Sequence, residues 1–227
     1  MTPSEATANA MQIVGFTADE KIEATTLLTD LVDSTTPFIS SMLNRRAYKT
    51  TFKDAPLSYR MIRYPENDTV TVEIGKRDIE VYADPVTRQL LKLWVTTDRW
   101  EEAVKSEYVK RPLAAEAEED FGQSFEVYHG LAAEMPKLTF VEVLNAWGTC
   151  PVFLEYAVQI EVMFLDHEEG GKRQPVWMLQ VNGISTRYTG ARYDSGGLIP
   201  AYITDHLRVL IADDGEFLYA TNFPSAE

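Results

Sequence analysis

The sequence predicts an α+β fold: a helical bundle with an inserted antiparallel β-meander and a C-terminal extension. Three observations predict it. Residues 1–43 carry two capped helix starts and apolar residues at helical spacing. Residues 48–83 switch to strict alternation. From Pro136 onward, long apolar runs return, with Pro and Gly at the points where helices would begin and end. The expected organisation is one α+β domain over residues 1–215, with a β-rich insertion at 48–95 and a C-terminal tail at 216–227.

Thr2-Pro3-Ser4-Glu5 reads as a helix start, with Thr2 as N-cap, Pro3 in the first helical position and Glu5 three residues after the cap. Ala6, Ala10, Ile13 and Val14 supply an apolar stripe, and Gly15 can close the helix. Thr17 with Glu20 repeats the start signal. Ile22, Leu27, Leu28, Leu31, Val32, Phe38, Ile39, Met42 and Leu43 then predict a second helix, kinked at Pro37.

"YKTTF", "SYRMIRY", "TVTVEI" and "DIEVYA" predict four short strands, with turns at Asp54-Ala55-Pro56 and at "GKR". Asp84-Pro85 ends the meander. "QLLKLWV" suits either a strand or a helix start. "TTDRWEEAVKSEYVK" predicts a helix capped near Thr97, the acidic run Ala114–Asp120 a solvated face, and "FEVYHG" a strand.

Pro136 opens a long apolar helical stretch through Leu138, Val141, Leu144 and Trp147 to Phe164, broken at Gly148 and Pro151. "DHEEGGKRQ" predicts a surface loop, "VWMLQV" a strand, and Asn182-Gly183 a turn. A last helix is expected from Pro200, with Ile203, Leu207, Leu210 and Ile211 on one face and Gly215 at its end.

The net charge of −14 works against sequence-reading DNA binding, because gripping phosphates needs Lys and Arg to displace condensed counterions. A protein that surrounds DNA without holding it is compatible with such a surface. The single cysteine, Cys150, rules out an intrachain disulfide and reads as a structural thiol. The first sixteen residues lack a basic start and do not read as a signal peptide, and no apolar run reaches membrane-spanning length.

"YDSGG" contains the tetrapeptide that surrounds the nucleophile of trypsin-like proteases, which raises Ser195 as a catalytic serine. The match stops after four residues. Tyr193 stands where those enzymes have glycine, and His129 lies in "VYHGL" rather than in their histidine context. The structural reading is preferred: Gly196 and Gly197 form a hinge, and Pro200 starts the last helix. His129, His167 and His206 fall in no ligand spacing, and the acidic "DHEE" at 166–169 reads as an exposed loop. No catalytic residue, metal or cofactor is expected. Phe217, Leu218, Tyr219 and Phe223 concentrate apolar area after the last helix. At roughly 1.5–3 kcal/mol for each side chain fully buried, they should pack back on their own domain or dock into a neighbouring chain.

The order of these elements resembles the head–tail connector (adaptor) proteins of tailed bacteriophages. The residues that carry the resemblance are "LNRRAY" (Leu43–Tyr48) after the second expected helix, "VYADPVTRQLLKL", "FEVYHGLAAEMPKLTF" and "VNGISTRYTGARYDSGGLIPAYITDHLRVL". The resemblance implies a virion structural protein without enzymatic activity, in the neck at the head–tail interface, assembled in the host cytoplasm. It implies a ring, usually of twelve subunits, beneath the portal, extending the DNA channel and receiving a tail or neck protein. DNA would pass without sequence-specific contact, and no membrane would be involved. Phe217, Leu218, Tyr219 and Phe223 then become the candidate portal-docking segment. Another neck or tail-completion ring protein is the alternative, and a small hydrolase using Ser195 the alternative from a different class.

Overall fold

Thr2, Pro3 and Glu5 start a helix as their order predicts. The computed structural model describes residues 1–17, 19–32, 44–63, 68–96, 127–147, 154, 157–192 and 198–222. Helix α1 spans Pro3–Val14. Thr2 Oγ1 accepts from the Glu5 N–H (3.3 Å) while the Thr2 N–H donates to Glu5 Oε2 (2.7 Å). The bond from the Thr2 N–H first, then the Thr2 side chain, holds the Glu5 carboxyl below its ordinary pKa. Ala6, Ala10, Ile13 and Val14 are buried along one face.

Gly15 closes α1 at φ +96°, and a Cβ there would lie 2.7 Å from Thr139 Oγ1 and 2.9 Å from Thr139 Cβ. Backbone strain and a steric clash therefore act together. We expect Gly15→Ala to cost about 1–3 kcal/mol, read as a lower midpoint in urea with an unchanged slope. An unaltered midpoint would show that the α1 end relaxes freely.

Beyond α1 the predicted helical bundle is not what forms. Among the described residues the chain builds one antiparallel sheet of nine strands. In chain order they are β1 (Glu23–Leu31), β2 (Arg45–Arg63), β3 (Asp68–Ala83), β4 (Leu90–Thr96), β5 (Val127–Leu131), β6 (Ala157–Glu169), β7 (Lys172–Arg192), β8 (Leu198–Ala212) and β9 (Phe217–Asn222). Their spatial order is β1-β2-β3-β4-β6-β7-β8-β9, with β5 paired to the far half of β6. A second described helix, α2, spans only Phe140–Trp147.

The corrections have physical causes. Thr17 and Glu20 do form the expected cap, with the Thr17 N–H 2.5 Å from Glu20 Oε2, but a single turn follows and the chain enters β1. Thr25, Thr26 and Thr29 are β-branched, and they favour a pleated strand over a helix. The four predicted short strands merge into two long ones. Asp54-Ala55-Pro56 is an irregularity inside β2, with Asp54 at φ +48°, and Gly75 at φ +89° lies opposite Leu57 where the β2–β3 register shifts.

The apolar stretch from Pro136 to Phe164 forms helix α2 in its first half, as predicted, and enters β6 in its second, while the expected last helix is β8. At Ile160–Leu165 of β6 and Val209–Ala212 of β8 the sheet is buried on its two sides, so these stretches show no alternation to betray them. Ile160, Val162 and Phe164 join one core cluster, while Met163 and Leu165 join the other. "DHEEGGKRQ" is the β6–β7 hairpin, turning at Gly170 and Gly171. Asn182-Gly183 lies within β7 rather than at a turn. The helix predicted near Thr97, the acidic run 114–120, and Gly148, Cys150 and Pro151 lie outside the described residues.

Both helices pack on the larger cluster, which gathers Ala10, Ile13 and Val14 of α1, Phe140, Val143 and Leu144 of α2, and sheet residues such as Phe52, Phe164 and Trp177. Thr139 caps α2. Its Oγ1 accepts from the Glu142 N–H (3.3 Å), while its N–H (2.7 Å) and then its Oγ1 hydroxyl (2.9 Å) donate to Glu142 Oε2 and hold that carboxyl below its ordinary pKa.

Candidate interaction surfaces

Strand lengths set the first feature. β1 pairs with β2 only as far as Lys53, and β4 begins pairing with β3 at Asp78. Ala55–Arg63 and Asp68–Arg77 therefore have only each other as strand partners among the described residues. α2 supports this arm: Leu57, Tyr59 and Ile74 share its cluster, and the Arg60 N–H donates to Asn145 Oδ1 at 3.2 Å. Buried Arg77 anchors the arm's root, donating through Nη1 to the Ala157 carbonyl at 2.9 Å.

The second arm is longer relative to its support. β6 pairs with β7 up to Gly183, and β9 pairs with β8 up to Leu207. Beyond these points Ser185–Arg192 and Leu198–Thr204 form a two-stranded ribbon. Pro200 lies in this ribbon opposite Tyr188, so it does not start a helix. A proline is tolerated there because β8 has no strand on its other side at that point among the described residues. Pro56 occupies the matching place in β2, opposite Lys76. Ser195, Gly196 and Gly197 lie between β7 and β8, outside the described residues, so the proposed hinge is a segment joining two strands.

The sheet ends in two open edges. β1 pairs only with β2 and β9 only with β8 among the described residues. Leu27 is 49% exposed and Leu28 41% exposed. Of the candidate docking residues, Phe217 is half-buried against the larger cluster, Leu218 is half-buried against the smaller one, and Tyr219 stands in register with Leu210. The expected tail after Gly215 thus begins as an edge strand, while Phe223 lies outside the described residues.

One face of the sheet carries a transverse polar row. The register places Thr51, Glu80, Trp94, Glu161, Gln180, Arg208 and Thr221 opposite one another in turn across seven strands. Lys92 Nζ meets Glu161 Oε1 at 2.6 Å with both side chains buried, and lies 4.1 Å from the centroid of the Trp94 ring. Lys49 Nζ meets Glu80 Oε1 at 2.5 Å, and Tyr82 Oη donates to Glu80 Oε2 at 2.9 Å. Burial first, then that bond, pushes the Tyr82 phenol well above its ordinary pKa. At the row's flank, burial alone would raise the Asp78 carboxyl. Bonds from Lys53 and the Asp54 N–H outweigh it and hold the carboxyl down.

Within the row, the buried Trp94 Nε1 has no hydrogen-bond partner among the described residues. His129 Nε2 pairs with Glu168 Oε2 at 2.7 Å on the β5–β6 surface, His167 is buried, and His206 stands in register with Asn182. Asp166 pairs with Arg173 at 2.6 Å across the hairpin. No group of three or more His, Cys, Asp or Glu able to hold a metal occurs among the described residues. No described helix is long and apolar enough to cross a membrane.

The sequence reading passed over the Lys92–Glu161 pair and the β1 edge. "LLKLWV" and "QIEVMFL" each hold one charge in an apolar run, and that signal matches two such strands to each other. No family model, curated protein or solved structure matches this chain.

Proposed function

We propose that this chain is an architectural subunit of a tailed-bacteriophage neck, a connector that forms a ring beneath the portal and extends the DNA channel. The observation that carries this reading is the ribbon Ser185–Arg192/Leu198–Thr204. A two-stranded hairpin without a third strand is marginally stable in water, so an arm of this length belongs against another molecule. The same stretch supplies the longest part of the resemblance to connector proteins, with β8 in place of the closing helix that the resemblance implies. The charge of −14 suits a conduit that DNA traverses without sticking. β1 stands where the resemblance implies a second helix, and this favours another neck or tail-completion ring as the second reading.

Electron microscopy and mass measurement of the purified protein, alone and with a portal, test the proposal. Rings of defined subunit number that bind the portal are expected. A chain that stays monomeric and ignores the portal overturns the proposal, and rings that form but bind only a tail protein favour the second reading.

A further inference from the structure

The two open edges of the sheet have complementary directions. Among the described residues every strand pairing is antiparallel, and the path β1-β2-β3-β4-β6-β7-β8-β9 contains eight strands. With an even count, the first and last strands run in opposite directions. Rotation about an axis along the strands preserves strand direction and keeps each face on its own side. β9 of one copy then meets β1 of the next in antiparallel orientation, and the alternation continues unbroken around a ring.

Neither edge is protected in the usual way. Sheets blunt exposed edges with lysine, proline or charges; β1 carries the acids Glu23 and Asp30 only at its ends, and neither its middle, Ala24–Thr29, nor Phe217–Asn222 holds a charge or proline. The one irregularity in β9 falls at Leu218, after which Tyr219–Asn222 runs in regular register with Leu207–Leu210. Exposed Leu27 and Leu28 are consecutive in a strand and so point to opposite faces. Phe217 and Leu218 likewise divide between the two core clusters. The β1 edge therefore exposes one large apolar side chain per face, and the β9 edge carries one half-buried apolar side chain per face.

We infer that copies of this chain assemble head to tail by pairing β9 of one subunit with β1 of the next, making one continuous sheet around the ring. The inference rests on the ring reading above and names its contact. The contact is heterologous: the two surfaces differ, and closure depends on rotation alone.

Two charged variants separate the edges. Thr25→Lys changes an exposed residue of β1, and Thr221→Lys changes β9. Each should raise the concentration for half-assembly by about tenfold or more, with circular dichroism and melting temperature close to wild type. Leu27→Lys and Asn222→Lys serve if a first variant folds poorly. An equimolar mixture of Thr25→Lys and Thr221→Lys should give a dimer and nothing larger by native mass spectrometry, because one intact β9 meets one intact β1 and both remaining edges are blocked. Assembly lost only in the β1 variant would show two-fold β1–β1 pairing and overturn the inference. Rings in both variants would overturn it while leaving the ring reading intact. A wild-type chain that forms no ring, alone or on a portal, removes both.

Discussion

Asp213→Ala should destabilise the protein by about 3–5 kcal/mol, among the largest effects of any single substitution outside the apolar core. Asp213 is buried beside the β8–β9 turn. Its Oδ1 accepts from the Lys137 N–H (3.1 Å), the Leu138 N–H (3.3 Å) and Trp177 Nε1 (3.3 Å), and its Oδ2 also accepts from Lys137 (3.1 Å). Hydrogen bonds to a charged acceptor contribute about 1.5–3 kcal/mol each, and buried donors left without a partner cost about 1–3 kcal/mol each. The bonds share one acceptor and are not additive, so the total falls below their sum.

The consequence extends past the turn. Lys137 and Leu138 lead directly into the Thr139 cap and α2, whose Phe140, Val143 and Leu144 fill the larger cluster. Asp213→Asn keeps one acceptor oxygen and should cost about half as much. Urea denaturation followed by tryptophan fluorescence measures both. An alanine variant within about 1 kcal/mol of wild type would show that water replaces the carboxylate, and that the 137–138 segment holds its place without it.

How much of this was legible in the sequence depends on where each element sits. α1 could be read because its signals are local: a capping box, a proline and a terminal glycine act within one turn. β3 could be read because Val70, Val72 and Ile74 alternate with residues that face outward. β6 and β8 could not be read, because Ile160–Leu165, interrupted only by Glu161, and Val209–Ala212 are buried on both faces and show no alternation. Their periodicity then matches a buried helix equally well. β1 was misread for a different reason: it is an edge strand whose Leu27 and Leu28 are left exposed, so their apolar character reports an outside surface rather than a helical stripe. Asp213 was invisible as a site because "ADDG" reads as an ordinary turn, and its partners lie 36 to 76 residues away. The docking segment was located by its apolar density, yet only the sheet register shows Phe217–Asn222 as an edge.

The Lys92–Glu161 pair gives the second large effect and a sharper test of the sheet's polar row. Both side chains are nearly solvent-free, at 1% and 4% exposure, and their charged atoms lie 2.6 Å apart. Removing water from two charges costs several kcal/mol per ion, and their mutual attraction offsets this only while both are present. Lys92→Met or Glu161→Leu alone should therefore cost about 3–5 kcal/mol, because each strands the opposite charge in the interior. In a chain of this size, that lowers the melting temperature by roughly 6–20 °C.

The double variant Lys92→Met/Glu161→Leu should recover most of that loss and fall within about 1–2 kcal/mol of wild type. Two apolar side chains of similar volume replace the pair, and methionine sulfur keeps a favourable contact with the Trp94 ring. The coupling between the two sites, obtained from the four melting or urea curves, should thus reach several kcal/mol. Strict additivity of the two single losses would mean that each charge is held by separate surroundings. The row from Thr51 to Thr221 would then be a set of independent contacts rather than a coupled seam across the sheet. A recovered double variant that no longer forms rings would assign the seam a part in assembly as well. The charges would then be retained for the shape or register they impose on the sheet, and not for stability, to which an apolar pair contributes equally well.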